Sequence, residues 1–122
     1  YDVEWLLLPH SSLQELQARQ EESERILARL SPNDITILLD ERGRAVSSPE
    51  LSRLLREPLD HSRRVTLIIG GAYGVNDEVH RRADWVWSLS PLVFPHQLVR
   101  LIVAEQLYRA QEISASNPYH HT

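Results

Sequence analysis

The stretch 35-ITILL-39 is where the fold is decided. It is a near-continuous apolar run bounded by polar residues, the pattern of a strand buried on both faces. A strand of that kind needs helices above and below it, and the flanking sequence supplies them. Downstream, Asp40-Glu41-Arg42-Gly43 reads as a turn or loop, and 47-SSPE-50 as a helix start. Serine caps the first turn there, proline tolerates it, and Glu50 sits near the positive end of the dipole. Leu51, Leu54 and Leu55 form that helix's apolar face, and Pro58 is expected to stop it. A second buried strand, 65-VTLIIGG-71, runs into two glycines, and a short helix is expected from Asn76 to Arg82. A third strand follows at 85-WVWSL-89, with Trp85 and Trp87 expected on opposite faces and one of them in the core. Strands alternating with helices predict an α/β fold with a largely parallel sheet.

Upstream, 3-VEWLLL-8 reads as a further strand ended by Pro9. Ser12 and Glu15 have the spacing of a capping box. The helix they open carries Leu13, Leu16, Ile26, Leu27 and Leu30 on one face and is expected to end near Ser31-Pro32. The last helix holds Leu98, Leu101, Ile102, Glu105, Leu107 and Tyr108 and is apolar over more than half its circumference. Such a helix is buried on more than one side, which points to a subunit interface.

The chain has 122 residues, which predicts one domain over 1–122. An apolar fraction of 42% and a charged fraction of 25% place it among ordinary globular proteins. No apolar run reaches membrane-spanning length and no signal-peptide pattern opens the chain, so a cytoplasmic protein with no membrane partner is expected. The absence of cysteine excludes disulfides and thiolate metal sites. A net charge of −4 argues against a broad basic surface for nucleic acid; a nucleic-acid substrate would need contacts that are local, shape-based or built across an oligomer. The sequence begins at Tyr1, almost directly in a strand-like run, and an N-terminal truncation or processing is expected.

In open α/β sheets ligands bind beyond the carboxyl ends of the strands. Three loops qualify: Leu39-Asp40-Glu41, Gly70-Gly71-Ala72-Tyr73-Gly74, and residues 88–95. If the strands are parallel, all three lie at one edge. The glycine loop either lets a backbone approach a ligand closely or is a plain tight turn. It lacks the Gly-Lys-Ser/Thr of a P-loop and the spacing of a dinucleotide fingerprint. Ser90-Pro91-Leu92-Val93-Phe94-Pro95 offers stiff apolar walls suited to a neutral heterocycle such as adenine, or else simply packs on the core. His96 opens the last helix and Arg100 lies on the same face four residues on, so they face a substrate or are an ordinary helix-start histidine and a surface arginine. His120 and His121 lack the spacing and carboxylate partners of a metal site, and no metal is expected.

Taken together, Leu39-Asp40, Ile69-Gly70-Gly71-x-x-Gly74, Trp87-Ser88-Leu89-Ser90, Pro95-His96-x-Leu98-Val99-Arg100, the run from Ala104 to Ala110 and Asn117-Pro118-Tyr119-His120 resemble the RlmH family of SPOUT-class RNA methyltransferases. The resemblance covers nearly the whole chain. It implies a deep C-terminal trefoil knot over about residues 65–122 and S-adenosylmethionine as methyl donor. It also implies N3-methylation of pseudouridine 1915 in helix 69 of 23S rRNA on the 70S ribosome, by an obligate homodimer with its site at the interface. By position, Leu39, Gly71, Ser90, Pro91, Leu92, Val93, Phe94 and Pro95 would line the cofactor. His96, Arg100, Tyr119 and His120 would face the RNA or the reacting base, partly from the other subunit. The resemblance also implies that the family's first strand and helix, roughly thirty residues and about one supersecondary unit, would precede the segment matching Val3–Leu8 and are expected to be absent here. Ala72-Tyr73 replaces a pair that is often Pro-Glu, and His121 stands where a basic residue is common. The alternative to an active enzyme is an inactive or truncated knotted domain that binds S-adenosylmethionine or acts as a scaffold without methyl transfer.

Overall fold

The computed structural model describes residues 4–6, 8, 11–71 and 73–115. In chain order these form α1 (Glu15–Leu27), β1 (Ile35–Ala45), α2 (Ser48–Asp60), β2 (Val65–Ile69), α3 (Asp77–Arg82), β3 (Trp85–Ser88) and α4 (His96–Ser114). The sheet is three-stranded in the order β2-β1-β3. β1 pairs in parallel with β2 from Ile35↔Val65 to Leu39↔Ile69, and in parallel with β3 from Ile37↔Trp85.

Alternation along the central strand builds two cores. Ile37 enters one face with Leu51 and Leu55 of α2, Trp87, and Val103, Leu107 and Ala110 of α4. Leu38 enters the other with Ile68, Val75 and Val79 of α3, flanked by Ile26, Leu27 and Leu30. The apolar run at 35–39 is therefore continuous because both faces are covered. Ile37, Leu38, Leu51 and Leu55 are essentially inaccessible, and burying each such side chain contributes ~1.5–3 kcal/mol. The helix start at Ser47 forms as expected, with its hydroxyl accepting from Glu50 N and the Glu50 side chain accepting from Ser47 N. Across the helix pair, Ser52 Oγ donates to the Ala110 carbonyl at 3.0 Å, and Ser48 Oγ donates to Gln106 Oε1 at 2.6 Å.

Several expectations are corrected. Residues 4–6 and 8 form no strand, and Trp5 and Leu6 are exposed; residues 3, 7, 9 and 10 lie outside the described residues. A strand is held by backbone pairing, and the described part of this segment pairs with neither sheet edge. The Ser12–Glu15 capping box does not form: the N-cap is Gln14, without a side-chain bond, and Ser11 Oγ accepts from Leu13 N instead. α1 ends at Leu27, before Ser31-Pro32. Ile26, Leu27 and Leu30 pack on the core as expected, but Leu13, just before α1, and Leu16 are exposed. Nearer its start the helix docks through the small residues Ala18 and Ser23, with Ser23 Oγ accepting from Asn76 N at 2.9 Å.

α2 continues through Pro58 to Asp60. A proline removes one helical hydrogen bond, and so close to the end the helix still closes through His61 N on Glu57 O at 3.2 Å. Trp85 and Trp87 share a face, since residues two apart on a strand must. Their ring centroids lie 6.3 Å apart and both pack on the α2–α4 side. The turn or loop expected at 40–43 is instead part of β1, which runs on to Ala45 with a bulge: the register against β3 shifts between Leu39↔Trp87 and Arg44↔Trp87 before Ala45↔Ser88.

Candidate functional site

Because β1, β2 and β3 are parallel, the bulge in β1 and the loops after β2 and β3 open at one edge of the sheet. They surround a cleft of about 350 Å³, within the range of small-molecule sites. Leu39, Asp40, Glu41 and Arg42 form one wall, Gly70, Gly71, Tyr73 and Gly74 a second, and Leu89, Ser90, Leu92, Val93 and Phe94 a third. Ile69 and Trp87 contribute from the sheet, and His96 and Val99 from the first turn of α4.

The first wall is shaped by the bulge in β1. Asp40 Oδ1 accepts from Arg42 N at 2.8 Å and from Arg42 Nε at 3.2 Å, while Oδ2 accepts from Arg42 Nη2 at 3.1 Å. The Arg42 guanidinium holds the Asp40 carboxyl below the usual carboxylate range, outweighing its partial burial; the Arg42 amide and His80 act in the same direction. His80 Nε2 stands 3.9 Å from Asp40 Oδ2. Ser88 Oγ donates to the Glu41 carbonyl at 3.2 Å, which ties this wall to the end of β3.

The second wall is a tight turn. Gly74 N donates to Gly71 O at 3.0 Å, and Gly74 has φ +76°, a conformation that favours glycine. On its outer side Gly71 backs onto α1, where an added Cβ would run into the Glu22 carboxylate. In the third wall Ser90 Oγ accepts from Leu92 N at 3.0 Å, which bends the loop so that Leu92 and Val93 stand 69% and 79% exposed at the rim. Phe94 and His96 are half-buried. Pro95 is the N-cap of α4, so the stiff loop passes directly into the helix.

Of the residues predicted from sequence, Leu39, Gly71, Ser90, Leu92, Val93, Phe94 and His96 line this cleft. Pro91 and Pro95 belong to the same loop without facing the cleft, and Arg100 lies half-buried one turn further along α4. Tyr119 and His120 fall outside the described residues. The sequence reading places Asp40 and Tyr73 in candidate ligand loops without individual roles, takes one of Trp85 and Trp87 as core, and assigns no role to Arg42. An aspartate at the end of an apolar run with arginine two residues later is the signal for the Asp40–Arg42 bonds. Chemically the cleft offers aliphatic and aromatic walls, glycine backbone and one acidic side. Its one arginine is engaged by Asp40. That lining suits a heterocycle or a cationic ligand better than a phosphate.

A family described as "Predicted SPOUT methyltransferase" matches residues 3–120. The chain is 48% identical over 103 residues to Ribosomal RNA large subunit methyltransferase H of Syntrophotalea carbinolica, covering 84% of this chain and 66% of that one. The protein of the same name from Desulfitobacterium hafniense is 45% identical over 111 residues, covering 90% of this chain and 69% of the relative. That of Christiangramia forsetii is 42% identical, also over 111 residues, covering 90% and 71%. The chain belongs to the SPOUT methyltransferase family and, within it, to the RlmH group. It spans about two thirds of the length of these relatives, with 66%, 69% and 71% covered.

Proposed function

We propose that this chain is an S-adenosylmethionine-dependent methyltransferase acting on large-subunit ribosomal RNA. The observation that carries the reading is the convergence of the β1 bulge and two strand-end loops on one cleft in a chain of the SPOUT family. Leu39, Phe94 and the aliphatic rim of Leu92 and Val93 suit an adenosine, and the glycine turn lets backbone amides and carbonyls come close. With Asp40 paired to Arg42, Glu41 leaves a net negative charge on the side that a cationic cofactor would meet. Bound there, S-adenosylmethionine would supply an electrophilic methyl group on sulfur.

The remaining work of the chain is to orient the accepting nitrogen and to take its proton. His96 lines the cleft and is the described residue best placed for that task. Arg100, Tyr119 and His120 are proposed to act on the RNA from nearby or from a second subunit. The finer target follows the RlmH group: N3 of pseudouridine 1915 in helix 69 of 23S rRNA, on the assembled cytoplasmic ribosome. A knot over about residues 65–122 belongs to the same proposal.

A homodimer is proposed as the working form. Leu98, Leu101 and Tyr108 are exposed on α4, spaced so that they run along one side of the helix. A second copy of this helix would cover them.

Titration calorimetry with S-adenosylmethionine tests the cofactor assignment. The expected result is one site per chain, weakened about tenfold or more by F94A, since ~1.4 kcal/mol of lost burial corresponds to a factor of ten. No heat and no thermal shift at millimolar cofactor would contradict it.

A further inference from the structure

We propose that Tyr73 is a substrate-binding residue, the platform on which an unpaired base of the RNA stacks as it enters the cleft. The inference rests on the reading of this chain as an RNA methyltransferase. Tyr73 lines the cleft yet keeps 47% of its surface exposed. Its ring takes part in no aromatic pair among the described residues, and its hydroxyl makes no hydrogen bond among them. Tyr73 directly precedes Gly74, whose N donates to Gly71 O at 3.0 Å and whose φ is +76°. A large ring that lines the cleft and is left half in solvent is suited to a flat partner that comes from solvent.

The surrounding chemistry selects the partner. Leu92 and Val93 are the strongly exposed side chains of the facing loop, and Arg42 is engaged by Asp40. With a chain charge of −4, this rim favours the face of a base over a phosphate. The reaction makes the same demand. N3 lies on the Watson–Crick edge of a uracil ring, so the target must be unpaired to react, and unpaired bases stack on aromatic side chains.

The test compares wild type, Y73F and Y73A for binding to 70S ribosomes that lack the methyl group, with cofactor affinity and oligomeric state measured in parallel. Y73F is expected to bind as wild type. Y73A is expected to bind ribosomes roughly tenfold or more weakly, from the usual value of a base–aromatic stack, with cofactor affinity and oligomeric state unchanged. Unchanged ribosome binding by Y73A overturns the inference, as does a loss of cofactor affinity or a change of oligomeric state. A wild-type chain that transfers no methyl group while Y73A still binds ribosomes more weakly would overturn the proposed reaction and leave the role of Tyr73 standing.

Discussion

Gly43 lies against the backbone of Val86: a Cβ placed on Gly43 would stand 2.6 Å from the Val86 carbonyl oxygen. The contact lets β1 fold out over 40–43 and still rejoin β3 at Arg44, which sets the first wall of the cleft. G43A must displace strand backbone, and a loss of ~1–3 kcal/mol in stability is expected, read from denaturant midpoints. G71A makes the opposite case. Its Cβ first meets the Glu22 carboxylate rather than backbone, a side-chain end that can shift at the expense of its bond from Ser11 N, so its cost in stability should be smaller than that of G43A in the same measurement.

Asp34 anchors the other end of the sheet. It is 4% exposed in its ion pair with Arg64 and also accepts from Ser31 N and Thr66 Oγ1. Burial alone would push its carboxyl up, but the hydrogen bonds from Arg64, Ser31 and Thr66 outweigh it and hold the carboxyl below its ordinary 3.8. A carboxylate with a depressed folded-state pKa adds stability that is fully present above the unfolded value and disappears as pH falls through the folded one. D34N should therefore cost ~2 kcal/mol near neutral pH, as expected for lost hydrogen bonds to a charged group. The gap from wild type should close as pH drops below 3.8. Urea unfolding across that range checks both the size and the sign.

The exposed apolar side of α4 makes a separate prediction. Leu101 is 66% exposed, so L101E should change the stability of the isolated fold by no more than about 0.5 kcal/mol. If a second copy covers this side, the same change should turn a dimer into a monomer in light scattering and lower methyl transfer. A dimer that survives L101E would place the interface elsewhere.

Legibility from sequence followed how local each signal was. Apolar runs at 35–39 and 65–69 announced buried parallel strands because nothing but cover on both faces accommodates them. Parallel strands in turn brought the three segments to one edge, which is why Leu39, Gly71, Ser90 and His96 could be placed in one cleft without coordinates. Signals that depend on a partner element misled. Leu13 and Leu16 form part of an apolar pattern, yet near its start α1 docks through Ala18 and Ser23, a choice made by α3 and invisible in α1 alone. Tyr73 is legible only as a member of the glycine loop, and Arg42 carries no site signal, because it belongs to no periodic pattern and gains its place from its bonds to Asp40. Residues 116–122, with Tyr119 and His120, fall outside the described residues, so their share in the site rests on the resemblance.

The most direct test of the account is transfer of a labelled methyl group from S-adenosylmethionine to 70S ribosomes that lack the modification, with the product located by digestion of the large-subunit RNA. The account predicts label at a single pseudouridine in that RNA, approaching one methyl group per ribosome. Ribosomes left unlabelled by a chain shown to bind the cofactor would contradict it.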